Sequence, residues 1–132
     1  MISNHRRIRI LIIDDEESIR ISLRKFLEDF DFDVTDVESA ENALDCLKQE
    51  QFDIGIVDLR LPGISGDTFI QKAHLIQPDL HYVIHTGSVG YRLSIELMQL
   101  GLTNADVLHK PVDDLFVFVD VINQKIPRTP GK

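Results

Sequence analysis

The chain carries, at residues 52–66, the stretch Phe52-Asp53-Ile54-Gly55-Ile56-Val57-Asp58-Leu59-Arg60-Leu61-Pro62-Gly63-Ile64-Ser65-Gly66. Its apolar run ends abruptly on a carboxylate, Asp58, and a Pro-Gly loop follows at once. An apolar run bounded by turn residues is typical of a buried central strand in a parallel sheet. Asp58 is therefore expected at the carboxyl end of that strand, the edge at which open α/β sheets bind their ligands.

Regular alternation of strand and helix patterns extends on both sides of this stretch. Further strand-like runs are predicted at residues 8–13, 32–37, 80–85 and 106–109. Helical spacing of apolar residues predicts helices at residues 18–30, 39–48, 67–76, 91–100 and 112–126. Five alternations with short connections indicate an α/β fold: a five-stranded parallel sheet with right-handed crossovers and helices on both faces.

Length and composition limit the class of protein. A chain of 132 residues suffices for one domain, predicted over 1–126, and residues 127–132 are predicted to be a tail or the start of a linker. No apolar run approaches the roughly 20 residues that a membrane helix needs, so no membrane contact is expected. The net charge of −8 argues against nucleic-acid binding by this domain. The single cysteine, Cys46, cannot form an internal disulfide, which favours a cytoplasmic location.

Four of the five predicted strands end on a distinctive polar residue. Asp14 and Asp15 follow the first strand, Asp58 the third, Thr86 the fourth and Lys110 the fifth. Because all strands of a parallel sheet end at the same edge, these side chains are expected to converge in one shallow cleft.

The chemistry of these groups is complementary. Three carboxylates in one cleft raise one another's pKa unless a positive group intervenes. Carboxylate and backbone carbonyl oxygens favour a hard divalent ion such as Mg²⁺. Such an ion, the Lys110 ammonium and the Thr86 hydroxyl can together neutralise the three oxygens of a phosphoryl group. Asp58, at the end of the central strand, is the best candidate for a nucleophile that attacks phosphorus.

These motifs resemble the receiver domain of two-component response regulators. The resemblance extends from about residue 8 to residue 126. It depends on four motifs in order, each at a strand end: the apolar strand with Asp14-Asp15-Glu16, the stretch Val57 to Gly66, Thr86-Gly87 and Lys110-Pro111. Each motif alone is weak, but four in the right order are specific. The resemblance implies a flavodoxin-like, doubly wound (βα)5 sheet.

The resemblance also implies roles for individual residues. Asp58 accepts a phosphoryl group from the phosphohistidine of a histidine kinase. Asp15 and Asp58, with the backbone carbonyl of Arg60, hold Mg²⁺, and Asp14 acts on the ion mainly through water. Lys110 and Thr86 contact the acyl phosphate and report its presence. Glu16 lies near enough to shape the acidic pocket without being a first-choice ligand.

The sequence departs from the family pattern in three places. Val107 stands three positions before Lys110, where the family often has an aromatic residue that moves together with the threonine. The segment 101–106 is about two residues longer than usual, which alters the loop beside the usual signalling face. Arg60, two residues after Asp58, faces the phosphoryl site, and its long cationic side chain predicts slow self-dephosphorylation.

The expected function is that of a regulatory domain, which at most catalyses its own phosphorylation and dephosphorylation. Its expected partners are a sensor histidine kinase or phosphotransfer protein, and a second copy through the face formed by the fourth helix, fifth strand and fifth helix. His85 and His109 flank the expected cleft and are expected to pack under the sheet or to be exposed.

Other functions remain open at this stage. A Mg²⁺-dependent phosphohydrolase would usually place a second acid where Arg60 stands, and it tends to need a cap domain for which the chain has no room. A receiver-like docking module that takes no phosphate is kept open by Val107. A flavin-binding sheet protein is remote, because no loop rich in Ser, Thr or Gly follows the first strand.

Overall fold

The computed structural model describes residues 6–127. The predicted tail therefore lies outside the described residues beyond Pro127. The strands are β1 (Arg9–Ile13), β2 (Asp33–Val37), β3 (Ile54–Val57), β4 (His81–Thr86) and β5 (Val107–His109). The α-helices are α1 (Glu17–Glu28), α2 (Ala40–Gln49), α3 (Gly66–Ile76), α4 (Ile95–Gln99) and α5 (Phe116–Lys125). No α-helix of the described part is long and apolar enough to cross a membrane.

The five strands form one parallel sheet in the order β2-β1-β3-β4-β5. This is the flavodoxin-like order, which reverses direction between β1 and β3 and opens a crevice there. The register pairs Ile13 with Val57 and Val57 with Ile84, so that β1, β3 and β4 end at the same level. The predicted (βα)5 fold is confirmed.

Side chains of the central strands alternate between two cores. Leu11 and Ile13 pack with residues of α2 and α3 on one face of the sheet. Ile10 and Ile12 pack with residues of α1 and α5 on the other face. Burial on both faces explains why β1 and β3 read as continuous apolar runs, and it holds their carboxyl ends rigidly.

The fourth helix is shorter than its sequence pattern predicts, because α4 begins at Ile95 rather than at Tyr91. Ser94 is its N-cap, and the Ser94 Oγ accepts a hydrogen bond of 3.2 Å from the backbone N–H of Leu97. Before the cap, Gly90 has a φ of 74°, which is incompatible with a continuous helix. The apolar spacing alone does not reveal this cap.

The elements around β5 also begin later than predicted. Residues Asn104–Asp106 form a short 3₁₀ helix with a capping box between Thr103 and Asp106, so β5 starts at Val107. Asp106 is buried and forms an ion pair with Lys125. The last helix begins at Phe116 rather than at Val112, because the residues before it form the loop that carries the Lys110–Pro111 peptide. That peptide is cis.

Candidate functional site

Backbone hydrogen bonds fix the positions of the functional residues at the carboxyl edge of the sheet. The N–H of Asp58 donates to the carbonyl of Ile13 at 3.0 Å, which extends the ladder between β3 and β1. The N–H of Lys110 donates to the carbonyl of Thr86 at 2.7 Å, which extends the ladder between β5 and β4. Asp58 and Lys110 thus each lie one residue beyond a paired strand, whereas Thr86 is the last residue of β4.

The ammonium group of Lys110 joins the carboxylates of this edge. Its Nζ lies 2.9 Å from Asp14 Oδ2, 2.7 Å from Glu16 Oε1 and 3.2 Å from Asp58 Oδ2. Asp14 and Asp58 are buried, whereas Glu16 is exposed. The three carboxylates and Lys110 are called the acidic cluster below, and it combines three negative charges with one positive charge.

Burial dominates the electrostatics of Asp58. It raises the pKa of this carboxyl, and the charge of Asp14 acts in the same direction. The backbone N–H of Arg60, which donates to Asp58 Oδ1 at 3.0 Å, and the Lys110 ammonium oppose the rise. A carboxylate with a raised pKa is more basic and hence a better nucleophile than an ordinary aspartate, provided that it stays ionised.

Lys110 remains charged although its side chain is largely buried. Burial alone would lower its pKa, but hydrogen bonds to Glu16 and Asp14 and the charges of Asp14 and Asp58 outweigh burial and raise it. The same contact with Lys110 lowers the pKa of Glu16. Both groups are therefore ionised at neutral pH.

Glu16, which the sequence does not rank as a first-choice ligand, lies among the carboxylates of the acidic cluster. Oxygen atoms of Asp14, Glu16 and Asp58 all lie within 4.8 Å of one another, close enough to bind one ion. Asp15, predicted as a ligand, is exposed and does not belong to this group in the described part of the chain. The signal available in the sequence was the place of Glu16 in the run Asp14-Asp15-Glu16 directly after the first strand.

The donor set fits a hard divalent cation. Three carboxylates with a net excess of negative charge match the oxygen ligands that Mg²⁺ prefers. The backbone carbonyl of Arg60 follows two residues after Asp58, in the loop whose N–H already bonds to the Asp58 carboxylate. The Asp58 loop is also held from the opposite side by the start of α3, because a Cβ on Gly66 would lie 2.7 Å from Leu59 Cα and 2.8 Å from the Asp58 carbonyl oxygen.

Thr86 and Arg60 connect the acidic cluster to the loop after β4. Thr86 is fully buried, and its Oγ1 accepts a hydrogen bond of 3.0 Å from the N–H of Ser88. The Arg60 Nε donates to the Ser88 Oγ at 2.9 Å. Ser88 therefore links Thr86, which is predicted to contact the acyl phosphate, to Arg60, which is predicted to face the phosphoryl site.

His85 and His109 lie as their sequence context predicts. His85 is buried and packs edge-on against Phe118, with ring centroids 4.9 Å apart. Burial and the charge of Lys110 lower its pKa to about 4, so it is neutral at pH 7. His109 is exposed.

Comparison with known proteins agrees with the fold. Residues 10–119 match the response regulator receiver domain family, and the chain belongs to this family. It is 33% identical over 105 residues to the transcriptional regulatory protein FixJ of Bradyrhizobium diazoefficiens, covering 80% of this chain and 50% of FixJ. It is also 33% identical over 103 residues to the alginate biosynthesis regulator AlgB of Pseudomonas putida, covering 78% of this chain and 22% of AlgB.

Solved structures give the same result. A CheY-like receiver domain from Methanospirillum hungatei superimposes with a TM-score of 0.77 at 28% identity, covering 91% of this chain and 94% of that one. The chain spans about half the length of the FixJ protein that it matches. It is thus a receiver domain of the two-component type, a regulatory family rather than a classical enzyme.

Proposed function

We propose that this domain is a phosphorylatable switch that accepts a phosphoryl group on Asp58 from the phosphohistidine of a sensor histidine kinase or phosphotransfer protein. The observation that carries the proposal is the position of Asp58, buried at the end of β3 with its Oδ2 3.2 Å from Lys110 Nζ. A nucleophilic carboxylate beside a fixed cation is the arrangement that phosphoryl transfer requires.

In the proposed transfer, an Asp58 oxygen forms a bond to phosphorus while the bond from phosphorus to the histidine nitrogen of the donor breaks. The bonding electrons leave with the imidazole of the donor. The Lys110 ammonium balances charge on one phosphoryl oxygen, and the Thr86 hydroxyl, whose hydrogen is available to donate, contacts a second. The domain catalyses at most this step and the later hydrolysis of its own acyl phosphate.

Mg²⁺ is the proposed cofactor. Asp58, Asp14, Asp15 and the Arg60 carbonyl are the proposed ligands, and the position of Glu16 within the acidic cluster supports adding it to this set. When bound, the ion supplies positive charge that offsets the excess of carboxylates and stabilises the charge of the phosphoryl oxygens.

In the proposed readout, Ser88 couples a movement of Thr86 to the loop that leads to α4. A Thr86 side chain drawn toward a phosphoryl group changes its bond to the Ser88 N–H and thereby shifts the loop that leads to α4. Ile95 and Met98 on α4 are exposed apolar residues, which favours self-association of the phosphorylated domain through α4, β5 and α5. We also propose that the protein is cytoplasmic and that the receiver domain ends near residue 126.

Intact mass spectrometry tests phosphorylation directly. The protein is incubated with Mg²⁺ and acetyl phosphate, and a stable mass gain of one phosphoryl group is expected. The gain should disappear in Asp58→Asn and persist in Asp79→Asn, a matched change of an exposed aspartate distant in sequence from the acidic cluster. Rapid phosphate release without an adduct would favour a phosphohydrolase, and no reaction would favour a docking module.

Arg60 is the residue that we propose slows self-dephosphorylation. Its guanidinium, held by Ser88, lies in the loop beside Asp58 and can shield the acyl phosphate from water. In Arg60→Ala the phosphoryl group should be lost several-fold faster, as followed by the decay of the mass adduct after removal of acetyl phosphate. An equal lifetime in the variant contradicts this role.

A further inference from the structure

Two arginines of α1 share one aspartate of β2, and the proposed phosphoryl transfer assigns no role to any of the three. The Arg20 Nε donates to Asp36 Oδ2 at 2.7 Å, and the Arg24 Nη1 donates to Asp36 Oδ1 at 2.6 Å. The side chains of Arg20 and Asp36 are each only 11% exposed, against 33% for Arg24. Charges this far removed from water need short, well-aligned partners, so the Asp36 carboxylate fixes the direction of the Arg20 guanidinium.

The same guanidinium also contacts the backbone of the acidic cluster. The Arg20 Nη1 donates to the backbone carbonyl of Asp14 at 2.8 Å. The N–H of Asp14 donates to the carbonyl of Val37 at 3.2 Å, so β2 holds the peptide group before Asp14 and Arg20 holds the one after it. Because peptide groups are planar, anchoring both of them fixes the backbone dihedrals of Asp14 and hence the direction of its side chain.

Glu16 is tied to the same contact. Its N–H donates to Asp14 Oδ1 at 2.9 Å, and its carbonyl accepts from the N–H of Arg20 at 3.0 Å. Asp14 and Glu16 are two of the three carboxylates whose oxygens come within 4.8 Å of one another. Arg20 therefore joins the end of β1 to the start of α1 at the point where both elements supply a carboxylate to the acidic cluster.

Arg24 shows what a purely structural ion pair at this place looks like. It lies one helical turn after Arg20 and contacts the same Asp36 carboxylate. Within residues 6–127, however, it forms no hydrogen bond or ion pair with a member of the acidic cluster. Of the two arginines, only Arg20 connects the ion pairs between α1 and β2 to the phosphoryl site.

We propose that Arg20 is a positioning residue for the phosphoryl site, which joins the Asp36 carboxylate to the Asp14 carbonyl and thereby holds Asp14 and Glu16 where they bind one divalent cation. The inference rests on the proposed Mg²⁺-dependent function and adds a residue that touches neither the ion nor the phosphoryl group. Partners that orient metal ligands in this way contribute about 10–100-fold to metal affinity.

The charge of Arg20 and its position predict opposite effects on metal affinity. A positive charge near a cation site repels the cation, so removal of that charge alone would strengthen Mg²⁺ binding. Loss of positioning weakens binding instead. Arg24→Ala is the matched control, because it removes the same charge from the same helix and, like Arg20→Ala, leaves Asp36 with one arginine.

Calorimetric titration of the full chain with Mg²⁺, without a phosphodonor, measures the effect. Arg20→Ala should raise the Kd for Mg²⁺ about tenfold. Arg24→Ala should leave that Kd within about twofold of the native value or lower it.

The rate of phosphorylation by acetyl phosphate, measured against Mg²⁺ concentration, gives a second readout. In Arg20→Ala the Mg²⁺ concentration for half-maximal rate should rise about tenfold, and saturating Mg²⁺ should restore most of the maximal rate. A merely structural loss would lower the maximal rate without changing the Mg²⁺ dependence.

A Kd for Mg²⁺ in Arg20→Ala no higher than in Arg24→Ala would overturn the positioning role, as would a native chain that binds no Mg²⁺. Should Arg20→Ala not fold, Arg20→Lys against Arg24→Lys makes the same comparison, because lysine keeps the charge but lacks the planar fork that reaches two acceptors. Equal Kd values in that pair would overturn the role as well. A native chain that binds Mg²⁺ but gains no phosphoryl group fails the proposed function alone, since calorimetry needs no phosphodonor.

Discussion

The acidic cluster and the segment 87–99, from Gly87 to the end of α4, are built in opposite ways. Within the cluster, Asp14 and Asp58 follow β1 and β3, which are buried on both faces, and their backbone N–H groups continue the sheet ladder. The 87–99 segment holds a helix of only five residues, and Val89 in it is fully exposed while Ile95 is 66% exposed. The proposed chemistry thus lies in a tightly packed part of the fold, and the proposed readout lies in a segment with exposed apolar side chains.

This difference has a physical advantage for a switch. A phosphoryl site needs fixed distances between charged groups, because misplacement weakens every electrostatic contact. A signalling surface needs two arrangements of similar free energy, so that one added group shifts the population. The bond between Thr86 and Ser88 lies at the junction of the two regions.

The largest expected effect is on the rate of phosphorylation, and it comes from removing the positive charge of Lys110 in the acidic cluster. Lys110→Met should slow phosphorylation by acetyl phosphate by roughly a hundredfold, since a fixed charge at a phosphoryl site contributes on the order of 2.7–4 kcal/mol. The rate of the mass gain measures this. A matched change outside the site, Lys72→Met on α3, should leave the rate unaltered. Equal rates in both variants would place Lys110 outside the phosphoryl chemistry.

The next largest effect is expected at the close backbone contact between Gly66 and the Asp58 loop. In Gly66→Ala the new Cβ meets backbone atoms of Leu59 and Asp58 at less than 3.0 Å, so α3 or the Asp58 loop must move. We expect a loss of about 1–3 kcal/mol in the free energy of unfolding, measured with urea.

Gly55→Ala is the control for that substitution. A Cβ at Gly55 meets its neighbours at ordinary contact distances of 3.8–3.9 Å, so little change is expected. Equal losses in the two variants would show that the close approach at Gly66 is not what limits substitution there.

His85 predicts a pH dependence of stability. The pKa of His85 is lowered to about 4 in the folded protein, against 6.5 in the unfolded chain. Its contribution to the free energy of unfolding is therefore fully present above pH 6.5, and it is lost as the pH falls toward 4 because the unfolded chain binds the proton first. Between pH 7.5 and pH 5 this single group should cost about 2 kcal/mol of unfolding free energy. In His85→Leu that part of the loss should be absent, as measured by urea unfolding at the two pH values. An identical pH dependence in both proteins contradicts a buried neutral His85.

The smallest effect on stability is expected in the 87–99 segment. Ile95→Ser should change the free energy of unfolding by no more than about 0.5 kcal/mol, because Ile95 is largely exposed. It should nevertheless weaken self-association of the phosphorylated domain, as measured by sedimentation. A large loss in the free energy of unfolding would contradict the proposed difference between the acidic cluster and the 87–99 segment.

The strand and helix pattern of the chain predicts the fold and the edge of the sheet at which the polar residues meet. The continuous apolar runs before Asp14 and Asp58 follow from burial of strands on both faces, and the parallel topology brings their ends to one edge. These are consequences of backbone geometry and local pattern. They need no knowledge of side-chain contacts.

The details of the site depend on contacts between residues that are distant in the chain. Glu16 rather than Asp15 contacts Lys110, across 94 positions of the chain, because the N-terminus of α1 directs Glu16 over the sheet edge. Nor does the local pattern predict the late start of α4. Side-chain direction depends on how distant elements pack against one another, and that information appears only when the chain is folded.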